Sequence, residues 1–208
     1  MKLARPCATR QLRGAATHQT MHPRLNELLD YVDAQRSALL SAVSALPPER
    51  WTERPDPSRW SVADLFEHLC KVEHSCAQVI ARGVAAARAA GHPEETESHS
   101  VLGTLDTFAI PDRSQRREAP ERVAPTGTWS ANEARENLSA SRAELHEAMR
   151  AGDGLQLGTI HQSHARLGEL DLYGWILFIG KHEARHVLQA REIVEQIGAL
   201  PRPAATTS

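Results

Sequence analysis

Apolar positions recur at helical spacing in four stretches of the chain. In the first, Leu25, Leu28, Leu29, Val32, Leu39, Leu40, Val43 and Leu46 follow at i, i+3 and i+4 intervals, which places them on one face of a helix. Pro23 suits a first turn and Pro47-Pro48 stops the run, so the spacing predicts a helix over 22–46. Glu49–Trp60 is rich in proline and charge, holds Trp51 and Trp60, and reads as a loop. Ser61-Val62-Ala63-Asp64 is a capping box, in which the Ser hydroxyl and the Asp carboxylate satisfy each other's backbone N–H groups. The stripe Leu65, Leu69, Val72, Cys76, Val79, Ile80 follows it and continues through an Ala-rich end to Gly91, a helix over 61–90.

Residues 91–129 show no sustained period. A connection of that length in a compact domain is uncommon and is often functional. Ser130-Ala131-Asn132-Glu133 is a second capping box, opening a helix over 130–151 with Leu138, Leu145 and Met149 inward and Gly152 and Gly154 at its close. Residues 155–168 read as a further connection, and a last helix over 170–197 ends at Gly198 and Pro201. No segment alternates as a half-buried strand does. Four helices with one long crossover between the second and third predict an all-α four-helix bundle, in one domain and without internal repeats.

Composition agrees. At 208 residues, 41% hydrophobic and 24% charged, the chain can bury a core and is not a disordered protein. A formal charge of −2 and a pI near 6.6 argue against bulk nucleic-acid binding. No apolar run approaches the roughly 20 residues of a membrane span. Cys7, Cys70 and Cys76 are too few for a disulfide framework, which indicates a reducing compartment and a cytoplasmic location. Cys70 and Cys76 read as small core or boundary residues. Residues 1–20 carry Lys2, Arg5, Arg10 and Arg13, no acid and no apolar signal region. They read as a disordered leader or as a stretch upstream of a true start at Met21, with a transit peptide as the alternative. All 26 acidic residues and 20 of the 24 basic ones lie beyond it, so the body carries −6. The bundle is expected over 21–198, with a disordered tail over 199–208.

Eleven histidines are the unusual feature. His182 and His186, at i and i+4, sit one above the other on a helix. Chance supplies about half of one such pair in a chain of this composition, and His18 and His22 make the same spacing near the leader. Context separates the two pairs: Trp175, Ile179, His182, His186 and Ile193 share one stripe, so the second pair points at the core. Buried imidazoles need partners, and a divalent metal satisfies two at once. His68, beside Leu65, Leu69 and Val72, is the candidate third ligand if the second and fourth helices are neighbours. Three imidazoles and an open position make a catalytic rather than a structural metal site. The competing reading makes His68 a boundary residue hydrogen-bonded to a carbonyl.

His182-Glu183-Ala184-Arg185-His186 also spells H-E-x-x-H, in which the Glu of a metallopeptidase acts as general base. Gln189 and Glu192 stand where the extended motif has Gly and His, little chain follows to supply a further ligand, and no strand is visible to align a peptide. Between Lys181 and Arg185, Glu183 is expected on a solvated charged face. His161 and His164 are expected in a loop, as support for the site or as ordinary surface, and His74 points elsewhere than His68. Asp64 could orient His68, although its capping role already accounts for it. Arg113, Arg116, Arg117 and Arg122 crowd the crossover among Glu118 and Glu121; a solvated loop is the default and a lip for an anionic substrate the sharper alternative. Trp129 and Tyr173 are read as packing residues, with pocket lining as the alternative.

Three ordered pieces resemble the DinB/YfiT-like metalloenzymes. They are Trp60-Ser61-Val62-Ala63-Asp64-Leu65-Phe66-Glu67-His68-Leu69, the proline-bounded Ala119–Gly127, and Leu172–His186 with its terminal H-x-x-x-H. The likeness spans about residues 22–198. It implies an up-down-down-up bundle and a divalent metal held by His68, His182 and His186; three imidazoles suit Zn, Ni and Fe alike. It makes the peptidase spelling coincidental. Some relatives transfer a low-molecular-weight thiol to an electrophile or use a thiol to isomerise a substrate. The resemblance therefore implies a metal-dependent transferase acting on small molecules, a low-molecular-weight thiol among them, with homodimers common. The alternatives are an H-E-x-x-H hydrolase and a non-catalytic metal-binding dimerisation module.

Overall fold

The structure, a computed structural model, describes residues 21–114 and 117–199. Four long helices carry it: α1 (Pro23–Val43), α2 (Val62–Ala89), α3 (Ala131–Ala151) and α4 (Leu172–Ala199). Both capping boxes form. The Ser61 and Ser130 hydroxyls accept from the N–H groups of Asp64 and Glu133, and those carboxylates accept from the Ser61 and Ser130 N–H groups. α2 pairs with α3 and α1 with α4, and the two pairs meet chiefly through α2 and α4.

Among the described residues the core has two apolar clusters. One takes Leu25–Val32 of α1, Cys76–Ala87 of α2, Leu145–Met149 of α3 and Leu172–Ile179 of α4. The other takes Leu39–Val43, Val62–Leu69, Ala134–Leu138 and Val187–Ile197 of the same helices. α1 and α4 therefore run from the first cluster to the second, and α2 and α3 run back, which is the expected up-down-down-up order. The crossover drops Val101, Leu105 and Ile110 onto the first cluster, so its irregular backbone is anchored by buried side chains.

Between the clusters lies a layer of charge, one residue from each helix: Arg36, Glu73, Arg142 and Glu183. Arg142 donates to Glu73 at 2.7 Å and Glu183 at 2.6 Å, and Arg36 to Glu73 at 2.9 Å and also to Glu183. Ser141 donates to Glu73, and Arg142 also holds Asp33. Two guanidiniums and two carboxylates close on one another, the condition under which buried charge is tolerable. Burial alone would raise the Glu73 carboxyl, but Arg36 and Arg142 hold it below its ordinary value.

Two expectations are corrected. The connection before α4 contains strands: β1 (His161–His164) pairs antiparallel with β2 (Gly168–Asp171), His161 opposite Asp171 and His164 opposite Gly168. Each strand has four mostly exposed residues, too short and too solvated for alternation to register. α4 accordingly starts at Leu172, with the Asp171 carboxylate accepting from the Gly174 N–H at 2.6 Å. α1 ends at Val43, and Leu46 is buried from the turn that follows rather than from the helix. No helix among the described residues is long and apolar enough to cross a membrane.

Candidate metal centre

The site begins with the first turns of α2. Arg54 grips Asp64 with two hydrogen bonds, at 2.9 and 3.1 Å, and Trp51 sets its ring edge against Phe66. Asp64 is thus bound to the helix cap and the preceding loop, and does not contact His68 through any hydrogen bond. One turn on, His68 is buried. Its Nδ1 lies 2.8 Å from the Val123 carbonyl oxygen of the crossover. An imidazole that donates from Nδ1 presents the Nε2 lone pair. The two sequence readings of His68 are therefore compatible, one nitrogen serving each.

His182 and His186 of α4 complete the group. The Nε2 atoms of His68 and His182 lie 3.4 Å apart, and those of His182 and His186 3.1 Å apart. The ligand atoms of all three residues lie within 4.8 Å of one another. In a tetrahedral ion site with metal–nitrogen distances of about 2.0–2.1 Å, neighbouring ligand nitrogens stand roughly 3.3 Å apart. The His186 Nδ1 is 2.9 Å from Gln189 Oε1, so His186 too has its outer nitrogen engaged and its inner one aimed at the centre. The three residues fit a metal ion, and the group contains no carboxylate or thiol. Trp60 lies over His68 and stacks on His186, with centroids 4.9 and 6.4 Å away, and Phe178 stacks on His182 at 5.5 Å.

Burial holds all three imidazoles in the neutral form that a metal requires. It pushes His186 down to about 3, with His68 adding to the effect, and His182 well below its ordinary value, with His186 and His68 adding. Burial lowers His68 as well, with the Val123 hydrogen bond working in the other direction.

Glu183 is the main correction. It is not on a solvated face: it is 1% exposed and sits in the midplane charge layer with Arg36 and Arg142. It lies about 100° around α4 from His182, which turns it toward α1 and α3. Lys181 and Arg185 are buried as well, because α4 is covered around most of its circumference. Local charge alternation could not reveal this, since the partners come from residues 36 and 142.

The other candidates divide. His164 lies in β1, its ring 4.5 Å from Phe178 and 5.0 Å from Trp175, and so borders the site. His161 is exposed, and His74 pairs with Glu144 on the surface. Tyr173 is buried and donates to Glu95, Cys76 is buried and Cys70 half-buried. Trp129 packs against the second cluster. His22 caps α1, while His18, Cys7 and Arg116 lie outside the described residues. Sequence reasoning missed the parts played by Val123, Trp60 and Gln189. For Gln189 a signal existed, a polar residue three positions after His186 on the same helix face; for Val123 there was none.

Two proteins share much of this chain. The protein described as "Uncharacterized protein YuaE" of Bacillus subtilis (strain 168) is 26% identical over 156 residues, covering 74% of this chain and 90% of its own. The solved four-helix bundle protein TT2238 superposes with a TM-score of 0.51 at 22% identity, covering 80% of this chain and 97% of its own, and supports the fold alone. The DinB superfamily model matches residues 31–190, which takes in all three histidines, the charge layer and the crossover. The chain belongs to the DinB superfamily.

Proposed function

We propose that this chain is a divalent-metal-dependent enzyme that transfers a low-molecular-weight thiol to an electrophilic small molecule. The observation that carries the reading is the convergence of three neutral Nε2 atoms, two with their outer nitrogens already bonded, beneath aromatic side chains. Zn, Ni or Fe each suit the donor set. Bound there, the ion supplies Lewis acidity that lowers the pKa of a thiol and leaves a position open to it. His68, His182 and His186 would hold the ion, and Val123 and Gln189 orient the outer rings. Trp60 and Phe178 limit water over the triad. In the transfer, the thiol proton goes to solvent, the sulfur lone pair forms the new carbon–sulfur bond, and the leaving group departs with its bonding pair.

The peptidase reading requires Glu183 beside the attacking water, whereas both its oxygens are engaged by arginines from α1 and α3. Elemental analysis of untagged protein tests the first half of the proposal. Near-stoichiometric metal is expected, lost in His68→Ala, His182→Ala and His186→Ala and kept in His74→Ala. Equal metal in all four variants rejects the site. Thiol consumption with a panel of reactive electrophiles, with and without chelator, tests the second half. Metal bound but no metal-dependent thiol consumption would leave a metal-binding module instead of a transferase.

A further inference from the structure

One face of α2 is covered by the crossover. Asp64, Glu67, His68 and Lys71 fall within about 100° of the circumference of α2. Together they hold the segment Val123–Gly127, Asp64 by way of Arg54. The segment leaves a single turn of 3-10 helix, Glu121–Val123, so the Val123 and Ala124 carbonyls emerge where the turn ends. Side chains of α2 take both: His68 donates from Nδ1 to Val123 at 2.8 Å and Lys71 from Nζ to Ala124 at 2.8 Å. Glu67 takes the donors that follow. Its Oε1 accepts from the N–H and from the hydroxyl of Thr126, at 2.9 Å each, and from Lys71 at 2.7 Å. At Gly127 the chain turns with a φ of +75°, and a Cβ there would stand 2.7 Å from the Arg54 guanidinium that grips Asp64.

Glu67 is 1% exposed, and its Oε2 is buried with no hydrogen-bond partner among the described residues. All three donors converge on Oε1 instead. An oxygen buried without a donor costs stability, so a stabilising ion pair does not account for this carboxylate. Its effect is geometric. One oxygen fixes Thr126, Lys71 joins that oxygen to the Ala124 carbonyl, and the carbonyl one residue earlier is the one His68 meets. Without the oxygen, the Val123 carbonyl loses its anchor on the C-terminal side. An imidazole that lacks this acceptor is free to carry its proton on Nε2, which takes the lone pair away from the centre of the triad. Glu67 itself is outside the group of ligand atoms.

We propose that Glu67 is a positioning residue of the metal centre: by holding Val123–Thr126 against α2 it keeps the His68 proton on Nδ1 and the Nε2 lone pair directed at the ion. The proposal rests on the metal-dependent reading above and adds the residue that sets the tautomer of one ligand. Glu67 acts through the crossover and does not touch the ion. Gln in its place keeps an Oε1 that accepts from Thr126 and sets its amide nitrogen where Oε2 lies, whereas Ala keeps neither.

Two measurements on the full-length protein test this: zinc affinity in competition with a chromophoric chelator, and the tautomer of His68 by nitrogen-15 NMR of the zinc-free chain. Glu67→Ala is expected to weaken zinc by about fivefold or more and to move part of the His68 population to the Nε2–H tautomer. Glu67→Gln should keep the natural tautomer and stay within about twofold of the natural zinc affinity. Lys71→Met, at a side chain 29% exposed, removes the tie to Ala124 without emptying a buried position. It should shift both readouts in the direction of Glu67→Ala, and it decides the matter if that variant fails to fold. Ser130→Ala, which removes the α3 cap, should lower Tm and change neither readout. Three results overturn the proposal: natural zinc affinity and tautomer in Glu67→Ala or Lys71→Met, Glu67→Gln as defective as Glu67→Ala, or Ser130→Ala weakening zinc as much as Glu67→Ala. A natural chain that takes up no zinc rejects the metal-dependent reading, and the His68 tautomer in the zinc-free variants then upholds or overturns the part played by Glu67.

Discussion

Glu183→Gln separates two accounts of the same five residues. The substitution keeps the shape of the side chain and removes one negative charge from the midplane layer. Glu73 is then the carboxylate left to face both Arg36 and Arg142, whose side chains are 11% and 8% exposed. Removing one partner of a buried ion pair costs about 3–5 kcal/mol. Here Arg142 keeps Glu73 and Asp33, Arg36 keeps Glu73 and the Leu138 carbonyl, and the new amide oxygen still accepts one hydrogen bond. Those partners place the cost at the lower end, about 3 kcal/mol. In a chain of this size 1 kcal/mol moves Tm by roughly 2–4 °C, so the variant should melt roughly 6–12 °C lower.

Thermal melting by circular dichroism, with metal content and casein hydrolysis measured on the same samples, reads the outcome. A lower Tm with unchanged metal content is expected, with no casein hydrolysis by either protein. Joint replacement of Glu183 by Leu and Arg36 by Met removes a matched pair and should recover part of the loss, because apolar residues of similar volume commonly replace buried ion pairs at little cost. An unshifted Tm together with abolished, metal-dependent peptide cleavage would refute the reasoning and make Glu183 a general base.

Glu73 supplies the pH dependence: its folded pKa is held below the ordinary 4.5, so its stabilisation is present above that value and is lost as the pH falls through the folded pKa. Urea midpoints measured across the acid range should fall steeply for the natural chain and less steeply for Glu73→Gln; parallel curves would contradict this. At Gly180 a Cβ would meet the Tyr31 ring at 2.6 and 2.7 Å, so Gly180→Ala should cost about 1–3 kcal/mol by chemical denaturation. In a Tyr31→Ala background the same change should instead stabilise, by up to about 1 kcal/mol of helix propensity. Gln189→Ala frees the outer nitrogen of His186 and should weaken zinc binding by about tenfold to a hundredfold in competition with a chromophoric chelator; unchanged affinity would remove Gln189 from the site.

The helices were legible because their signals are local. Ser61–Asp64 and Ser130–Glu133 name two helix starts by spacing alone, and the apolar periods on α1, α2 and α4 point their buried faces inward. His182 and His186 were legible for the same reason, lying on the stripe of Trp175 and Ile179. What could not be read depends on pairings far apart in the chain. Glu183 is joined to residues 41 and 147 positions away, and no window around it contains an arginine that predicts its burial. The Val123 carbonyl is fixed by the backbone of a segment without a period, 55 positions from His68. The hairpin of β1 and β2 went unread because strands of four residues, most of them exposed, carry almost no pattern.

The charge layer and the histidine triad are mechanically connected. Glu73 on α2 and Glu183 on α4 are both held by Arg36 and Arg142, so the layer sets the heights of α2 and α4 against each other. His68 is five residues from Glu73 on α2, about 7.5 Å along the axis toward the second cluster. His186 is three residues from Glu183 on α4, about 4.5 Å in the same direction, and His182 is one residue the other way. A slide of one helix by a single turn, about 5.4 Å, would separate the imidazoles beyond the reach of a common ion. It would also drive a charged side chain into an apolar cluster without its partners, at a cost of several kcal/mol. An apolar midplane would tolerate that slide far better, since leucine packs against leucine in either register. We infer that the buried ions contribute more to register than to net stability, and register is what a three-histidine site shared between α2 and α4 requires.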